Sequence, residues 1–247
     1  MAAAISKQAL NGATLDVVWN MTLAANMISA NVQYGQIEKI KEVAGVQEVI
    51  LENRYEPCVV KQEETADPNM ATSDKMIGSS AAWAAGYTGA GSRIAIIDTG
   101  ADVDHPSLDP DALKYALQGS NATIMTEADL TDEVLNQLNA YTRKAGLTAA
   151  DFYVNEKIPF GFNYVDADTD ITHDNDTQGD HGSHVTGIAA GNRFVKDEAG
   201  NYVAALDSVM TQGVAPDAQI LTMKVFGKGG GAYDSDYMVA IEDAMVL

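Results

Sequence analysis

The sequence predicts an α/β fold, a doubly wound and mostly parallel sheet, preceded by a small α+β module. Two short apolar runs rich in branched side chains, residues 94–97 and 219–226, are typical of buried parallel strands. Helical spacing at residues 185–190 and 237–246 alternates with these strands along the chain. Because strands that alternate with helices form parallel sheets covered on both faces, this order predicts a doubly wound arrangement.

The first 60 residues predict the small α+β module. Residues 15–34 have the pattern of extended structure, and residues 46–51 are again strand-like. Between them, residues 36–43 predict a helix that Gly45 ends. The apolar stripe of this helix consists of Ile37, Ile40 and Val43.

A polar stretch at residues 61–75, which includes Pro68, predicts a linker between two domains. Residues 76–247 then form the second domain. Two further helices are expected in it, a short one at residues 80–86 and one with helical spacing at residues 130–145.

The composition excludes several classes of protein. With 46% hydrophobic and 20% charged residues, the 247-residue chain can bury a sizeable core. Its 35 acidic and 15 basic side chains give a net charge of −20, which opposes binding to nucleic-acid phosphates. The one cysteine, Cys58, cannot form an internal disulfide, and no apolar run reaches the length of about 18 residues that a bilayer requires.

The acidity is concentrated in residues 98–181, which hold 17 acidic and 4 basic side chains. An excess of one charge is most often a solvated surface, and we expect that here. Five carboxylates in this segment offer oxygen ligands that calcium accepts: Asp166, Asp168, Asp170, Asp174 and Asp176. The segment lacks the glycine and final glutamate of an EF-hand. We therefore assign no metal ligand and no cofactor to the chemistry, and keep a structural calcium ion as an alternative.

Glycines precede the first strand of the second domain, in the pattern Gly86-x-x-Gly89-x-Gly91. A dinucleotide-binding loop follows a strand and opens a helix. Because these glycines come before the strand, the sequence disfavours a nucleotide-binding protein.

Asp98 stands at the carboxyl end of that strand, followed by Thr99 and Gly100. Parallel α/β sheets place their active sites at this edge, so Asp98 is a candidate catalytic residue. An acid at a strand end is about as often a turn or capping residue. The position alone therefore leaves both interpretations open.

His181 opens a predicted helix, in the segment Asp180-His-Gly-Ser-His-Val-Thr-Gly187. An imidazole there is suited to general-base catalysis. A metal site shared by His181 and His184 is disfavoured, because neither an H-E-x-x-H pattern nor a cysteine pair is present. We assign no role to the other histidines, which are His184, His173 and His105.

In order along the chain, these motifs resemble those of the subtilisin-like serine proteases, or subtilases: Asp98-Thr-Gly, His181-Gly-Ser-His-Val-Thr-Gly, Gly213-Val-Ala-Pro-Asp-Ala and Gly229-Gly-Gly. The resemblance covers about residues 76–247. Residues 76–91 and the long Asp-to-His spacing are most similar to the lactocepin-type bacterial cell-envelope proteinases.

The resemblance implies a serine endopeptidase that hydrolyses peptide bonds in proteins through an Asp-His-Ser triad. Asp98 then orients the imidazole of His181, which acts as the general base. The resemblance also implies an extended edge that binds the substrate backbone, formed by Gly229, Gly230, Gly231, Ala232 and Tyr233. A plain flexible loop is the alternative for these residues. Protein or peptide substrates and a secreted or cell-envelope location are further implications.

The sequence departs from the family at the nucleophile. The family's Gly-Thr-Ser-Met-Ala motif and its oxyanion-hole asparagine have no counterpart, and none of the serines after His181 has that context: Ser183, Ser208 and Ser235. We therefore expect a fragment whose nucleophile lies beyond residue 247 and which has no peptidase activity alone. The alternative is a binding or inhibitory module that keeps the scaffold without the chemistry.

Residues 32–40 and 44–49 resemble the C-terminal half of the inhibitory propeptide of subtilases. This resemblance implies that residues 1–60 are a propeptide remnant that presents its own tail to the active site, as an intramolecular inhibitor. Processing is then expected within the linker at residues 61–75.

Overall fold

The computed structural model describes residues 1–57, 73–174 and 176–247. The strands are β1 (Asp16–Met21), β2 (Met27–Asn31), β3 (Arg54–Tyr55), β4 (Arg93–Asp98), β5 (Phe160–Asn163), β6 (Phe194–Lys196), β7 (Tyr202–Ala204), β8 (Gln219–Lys224) and β9 (Ala232–Tyr233). The helices are α1 (Ala2–Gln8), α2 (Ile37–Lys41), α3 (Ser73–Ile77), α4 (Ser79–Ala84), α5 (Pro110–Ala116), α6 (Asp132–Leu135), α7 (Asn139–Arg143), α8 (Ala149–Phe152), α9 (His181–Ala190), α10 (Ala205–Ser208) and α11 (Asp234–Val246). Most of the predicted linker, residues 61–72, and Cys58 lie outside the described residues.

A three-stranded parallel sheet in the order β4, β8, β5 forms the centre of the second part of the chain. Side chains alternate across it. Ile96 and Ile220 pack with the apolar side chains of α9, whereas Ile97 and Met223 face the cluster that includes α11. With helices packed on both faces, the predicted α/β architecture with a parallel sheet is confirmed in these residues.

The N-terminal residues form an antiparallel hairpin of β1 and β2, with α1 and α2 packed on it. The predicted helix is present but shorter, and its stripe is buried as expected: Ile37, Ile40 and Val43. The predicted strand at residues 46–51 is wrong, because this segment forms no strand and Ile50 is 71% exposed. A strand-like pattern forms a strand only where a neighbouring edge pairs with it.

The expected helix at residues 130–145 is divided into α6 and α7. The reason lies far along the chain, on α11. The buried carboxylate of Asp243 accepts hydrogen bonds from the backbone N–H groups of Asn139 (2.7 Å) and Ala140 (2.9 Å). These donors would bond to carbonyls four residues earlier in a continuous helix, so the tertiary contact starts a new helix instead.

Strand β5 and the hairpin of β6 and β7 were not predicted from the sequence, and both are short. Among the described residues, no helix is both long enough and apolar enough to cross a membrane.

Candidate active site

The two residues singled out from the sequence meet at the carboxyl edge of the central sheet. Asp98 is the last residue of β4 and His181 the first of α9, and His181 Nδ1 lies 2.8 Å from Asp98 Oδ1. An ionised carboxylate only accepts hydrogen bonds, so Nδ1 carries the proton and Nε2 is left as the basic nitrogen. The His181 side chain is 46% exposed and that of Asp98 is 15% exposed. The imidazole is therefore open to solvent, whereas the carboxylate is largely enclosed by the protein.

The backbone around the pair is fixed by two further hydrogen bonds. The N–H of Thr99 donates to Asp98 Oδ1 (2.7 Å), and the N–H of Gly182 donates to the Thr99 hydroxyl (2.9 Å). The second of these hydrogen bonds ties the turn after Asp98 to the residue after His181.

Two glycines allow this close approach. Gly100 has φ of +108°, in the left-handed region that favours glycine. A Cβ atom on Gly182 would lie 2.9 Å from the backbone nitrogen of Gly100 and would also overlap its carbonyl oxygen. Any larger residue at position 182 would push α9 away from β4.

The predicted substrate edge carries a strand of the same chain. Ala232 and Tyr233, as β9, pair antiparallel with Tyr55 and Arg54 of β3. The Arg54 guanidinium also donates to the carbonyl of Gly230 (3.1 Å), and lies against Gly231. This edge therefore pairs with an extended backbone, that of residues 54–55.

Comparison with known proteins identifies the family. The family model described as the subtilase family matches residues 89–246. The chain belongs to the subtilase family.

Three curated relatives support this assignment. The PI-type proteinase of Lactococcus lactis subsp. cremoris is 32% identical over 226 residues, which cover 89% of this chain and 10% of that protein. The PII-type proteinase of the same subspecies is 33% identical over 205 residues, with 81% and 9% coverage. The minor extracellular protease Vpr of Bacillus subtilis (strain 168) is 28% identical over 199 residues, with 78% and 17% coverage. The predicted resemblance to the lactocepin-type proteinases is confirmed, and this subtilase chain spans about a tenth of the length of the lactococcal relatives.

In this subtilase, residues near β3 hold the first turn of α11. Asp234 accepts hydrogen bonds from the N–H of Asn53 (2.8 Å) and the hydroxyl of Tyr55 (2.8 Å). The hydrogen bond from the Asn53 N–H holds the pKa of Asp234 below its usual value. The Tyr55 ring stands edge-on to that of Tyr237, with centroids 5.8 Å apart. Glu52 accepts from the N–H of Ser235 (2.8 Å), at the positive end of the helix.

The hairpin of β1 and β2 contacts α11 through two buried carboxylates. Asp236 accepts a hydrogen bond from the indole N–H of Trp19 (3.0 Å), and burial raises its pKa. Glu242 accepts from the N–H groups of Thr22 and Ala24 (2.9 Å each). Burial opposes ionisation of Glu242, but these hydrogen bonds outweigh it and lower its pKa. None of these contacts was predicted, since their partners are more than 200 residues apart in sequence.

The serines that follow His181 make hydrogen bonds elsewhere or are exposed. The Ser183 hydroxyl accepts from the N–H of Asp102 (2.7 Å) and lies 3.4 Å from His173 Nδ1. The Ser235 hydroxyl donates to that of Ser29 (3.0 Å). Ser208 is exposed in α10. The structure thus places none of the three in a hydrogen bond to His181 Nε2.

The acidic segment after β5 is partly neutralised by a lysine. Lys228 Nζ lies 3.2 Å from Asp170 and 3.9 Å from Asp168, and its backbone N–H donates to Asp166 (2.9 Å). Within the part of the chain that the structure describes, no group of three or more His, Cys, Asp or Glu side chains is arranged to hold a metal ion. A calcium ion bound here stays a prediction.

Proposed function

We propose that this chain supplies the Asp98–His181 pair of a serine endopeptidase that hydrolyses peptide bonds in proteins. The observation that carries the proposal is the 2.8 Å contact between the imidazole and the carboxylate, at the carboxyl edge of a parallel sheet. Membership of a family of proteinases supports a serine-type peptidase.

In this proposal, Nε2 of His181 takes the proton of a nucleophilic serine and later gives it to the leaving amine. Asp98 keeps the imidazole in the tautomer that leaves Nε2 free, and its charge stabilises the imidazolium that forms. The serine itself is supplied by residues other than those described, beyond residue 247. The chain alone is then inactive.

The substrate is proposed to bind as an added strand along Gly229, Gly230, Gly231, Ala232 and Tyr233. Main-chain hydrogen bonds to a sheet edge recognise any extended peptide, which suits an enzyme that acts on proteins. The pairing of β3 with β9 supports this, because β3 lies along this edge as an extended backbone.

Residues 1–60 are proposed to act as an intramolecular inhibitor that occupies this edge until the linker at residues 61–75 is cut. The β3–β9 pairing and the carboxylate contacts of Asp234, Asp236 and Glu242 support the assignment.

Secretion, or attachment to the cell envelope, is proposed from relatives that include an extracellular protease. A structural calcium ion would have no part in the chemistry.

Two measurements test the catalytic proposal. The purified chain of residues 1–247 is exposed to a fluorophosphonate probe, and we expect no acylated serine. In the protein that carries the nucleophilic serine, Asp98→Asn should lower kcat by about 10⁴-fold, the size of the effect in a serine protease triad, and His181→Ala should abolish activity. His105→Ala is the matched control, because His105 is exposed and lies outside the pair.

Acylation of the chain of residues 1–247 would show that one of its own serines is the nucleophile. Full casein hydrolysis by the His181→Ala variant would contradict the role of the pair. A protein that binds peptides at the β9 edge without cleaving them would support the alternative, a binding or inhibitory module.

A further inference from the structure

Lys224 is a buried charge that the proposed chemistry does not use. It is the last residue of the central strand β8 and lies in parallel register with Asp98 of β4 and Asn163 of β5. Its side chain is completely buried. A buried ammonium is costly unless hydrogen bonds and an opposite charge compensate it, so its position calls for an explanation.

The three N–H groups of this ammonium have three acceptors. Lys224 Nζ donates to the carbonyl oxygens of Thr99 (2.6 Å) and Thr172 (3.0 Å), and it forms an ion pair with the buried carboxylate of Asp176. The aliphatic stem passes beneath Gly100, where an added Cβ would lie 3.4 Å from Lys224 Cδ. The lysine is thus fully satisfied, and its acceptors come from different segments of the chain.

Those segments are the two that carry the Asp98–His181 pair. Thr99 directly follows Asp98, and its hydroxyl accepts the hydrogen bond from Gly182, directly after His181. Thr172 and Asp176 lie in the segment that leads into α9. The Lys224 ammonium therefore holds both the turn that follows Asp98 and the segment that precedes His181.

We propose that Lys224 is a positioning residue that holds Asp98 and His181 at hydrogen-bonding distance. A buried ion pair is weak evidence for stability, since well-packed apolar side chains stabilise a core at least as well. Its use here is geometric, because one ammonium can join two carbonyls and a carboxylate in fixed directions. The inference rests on the proposed function, in which that distance matters.

The test uses Lys224→Met in the chain of residues 1–247 and follows the Nδ1 proton of His181 by NMR. An imidazole N–H that donates to a carboxylate gives a low-field resonance and exchanges slowly with water. We expect this resonance to be lost in Lys224→Met, or its exchange with water to become about tenfold faster, because a charge-assisted hydrogen bond is loosened.

Lys157→Met is the matched control. Lys157 is also completely buried, and its ammonium donates to the carbonyls of Pro216 (2.9 Å) and Ala218 (2.8 Å), at the opposite edge of the sheet. Burial lowers the pKa of Lys157 to about 7, so the spectra are compared in mildly acidic buffer, where Lys157 is charged. This variant should lose stability and keep the His181 resonance.

An unchanged resonance in Lys224→Met overturns the inference, as does an equal loss in Lys157→Met, which would indicate general loosening. Asp176→Asn removes the negative charge beside Lys224 and keeps its two carbonyl acceptors, and it decides the matter if Lys224→Met does not fold. Faster exchange in that variant supports positioning, and wild-type exchange contradicts it. The resonance requires neither serine nor substrate, so failure of this inference is distinct from failure of the proposed peptidase activity.

Discussion

Gly182→Ala should move Asp98 and His181 apart without replacing either residue. A Cβ at position 182 would lie 2.9 Å from the nitrogen of Gly100, whereas ordinary contacts begin at 3.4 Å. The helix start must therefore move by at least about 0.5 Å, and by more to clear the carbonyl oxygen of Gly100. The overlap is with backbone, which cannot turn away as a flexible side chain does.

This shift has two expected consequences. Overpacking at a tight backbone contact lowers the free energy of unfolding by about 1–3 kcal/mol. A misplacement of about 1 Å in a catalytic group lowers the rate by as much as about 100-fold. Denaturant unfolding measures the first effect. The Nδ1 resonance of His181, or kcat/KM in a form that carries the serine, measures the second.

Gly187→Ala is the matched control for this variant. Gly187 lies in the same helix, and an added Cβ meets no atom within 4 Å. Alanine is the better helix former, so this change should stabilise the protein by about 0.5–1 kcal/mol and leave the pair intact. If Gly182→Ala matches Gly187→Ala in stability and in the His181 resonance, the close approach of α9 to β4 is wrong.

Two carboxylates on α11 give further predictions. Burial raises the pKa of Asp243 to about 6, above its value of about 3.9 in an unfolded chain. Its contribution to stability is fully present below about pH 3.9 and is lost as the pH rises through about 6. As the pH is lowered through this window, the unfolding free energy of the wild type should therefore rise by up to about 3 kcal/mol relative to that of Asp243→Asn. Denaturant titrations of the two proteins in which this difference does not change with pH would contradict the prediction. Glu242→Gln places an amide against the N–H groups of Thr22 and Ala24, and should speed their hydrogen exchange by about tenfold or more; unchanged exchange would show that Glu242 does not hold the hairpin.

The parts of the fold that the sequence could predict have local signals. Strand β4 is a bounded run of branched apolar residues, and α9 begins at the residue expected for it. The strand expected at residues 46–51 and the single helix expected at residues 130–145 fail for a common reason. The structure that each segment adopts depends on partners remote in sequence. These are a strand edge to pair with in the first case and Asp243 in the second. Local patterns carry no information about such partners.

The candidate site shows the same division. Asp98 and His181 could be found from the sequence because each lies in a motif, in which the neighbouring residue types are restricted. Their 2.8 Å contact joins positions 83 residues apart, and only the resemblance to a family suggested the pairing in advance. Lys224 gave no such signal, because one lysine in an apolar strand has no motif around it. Its role depends on acceptors that only the folded chain brings together.

The strong acidity of the chain has a second use besides solvation. Residues 1–57 hold six acidic and four basic side chains, and α11 holds four acidic and no basic ones, so simple Coulomb interaction opposes their contact. Among the described residues, no ion pair joins residues 1–57 to the rest of the chain. The polar part of this contact is made by carboxyl groups that accept from neutral N–H and O–H groups, an arrangement that needs no opposite charge. If residues 1–57 dissociate, the same carboxylates lose these donors, and the net negative charge of both parts opposes rebinding. A contact built in this way is strong while every donor is in place and weak once some are lost, which fits the inhibitory role proposed above for residues 1–60.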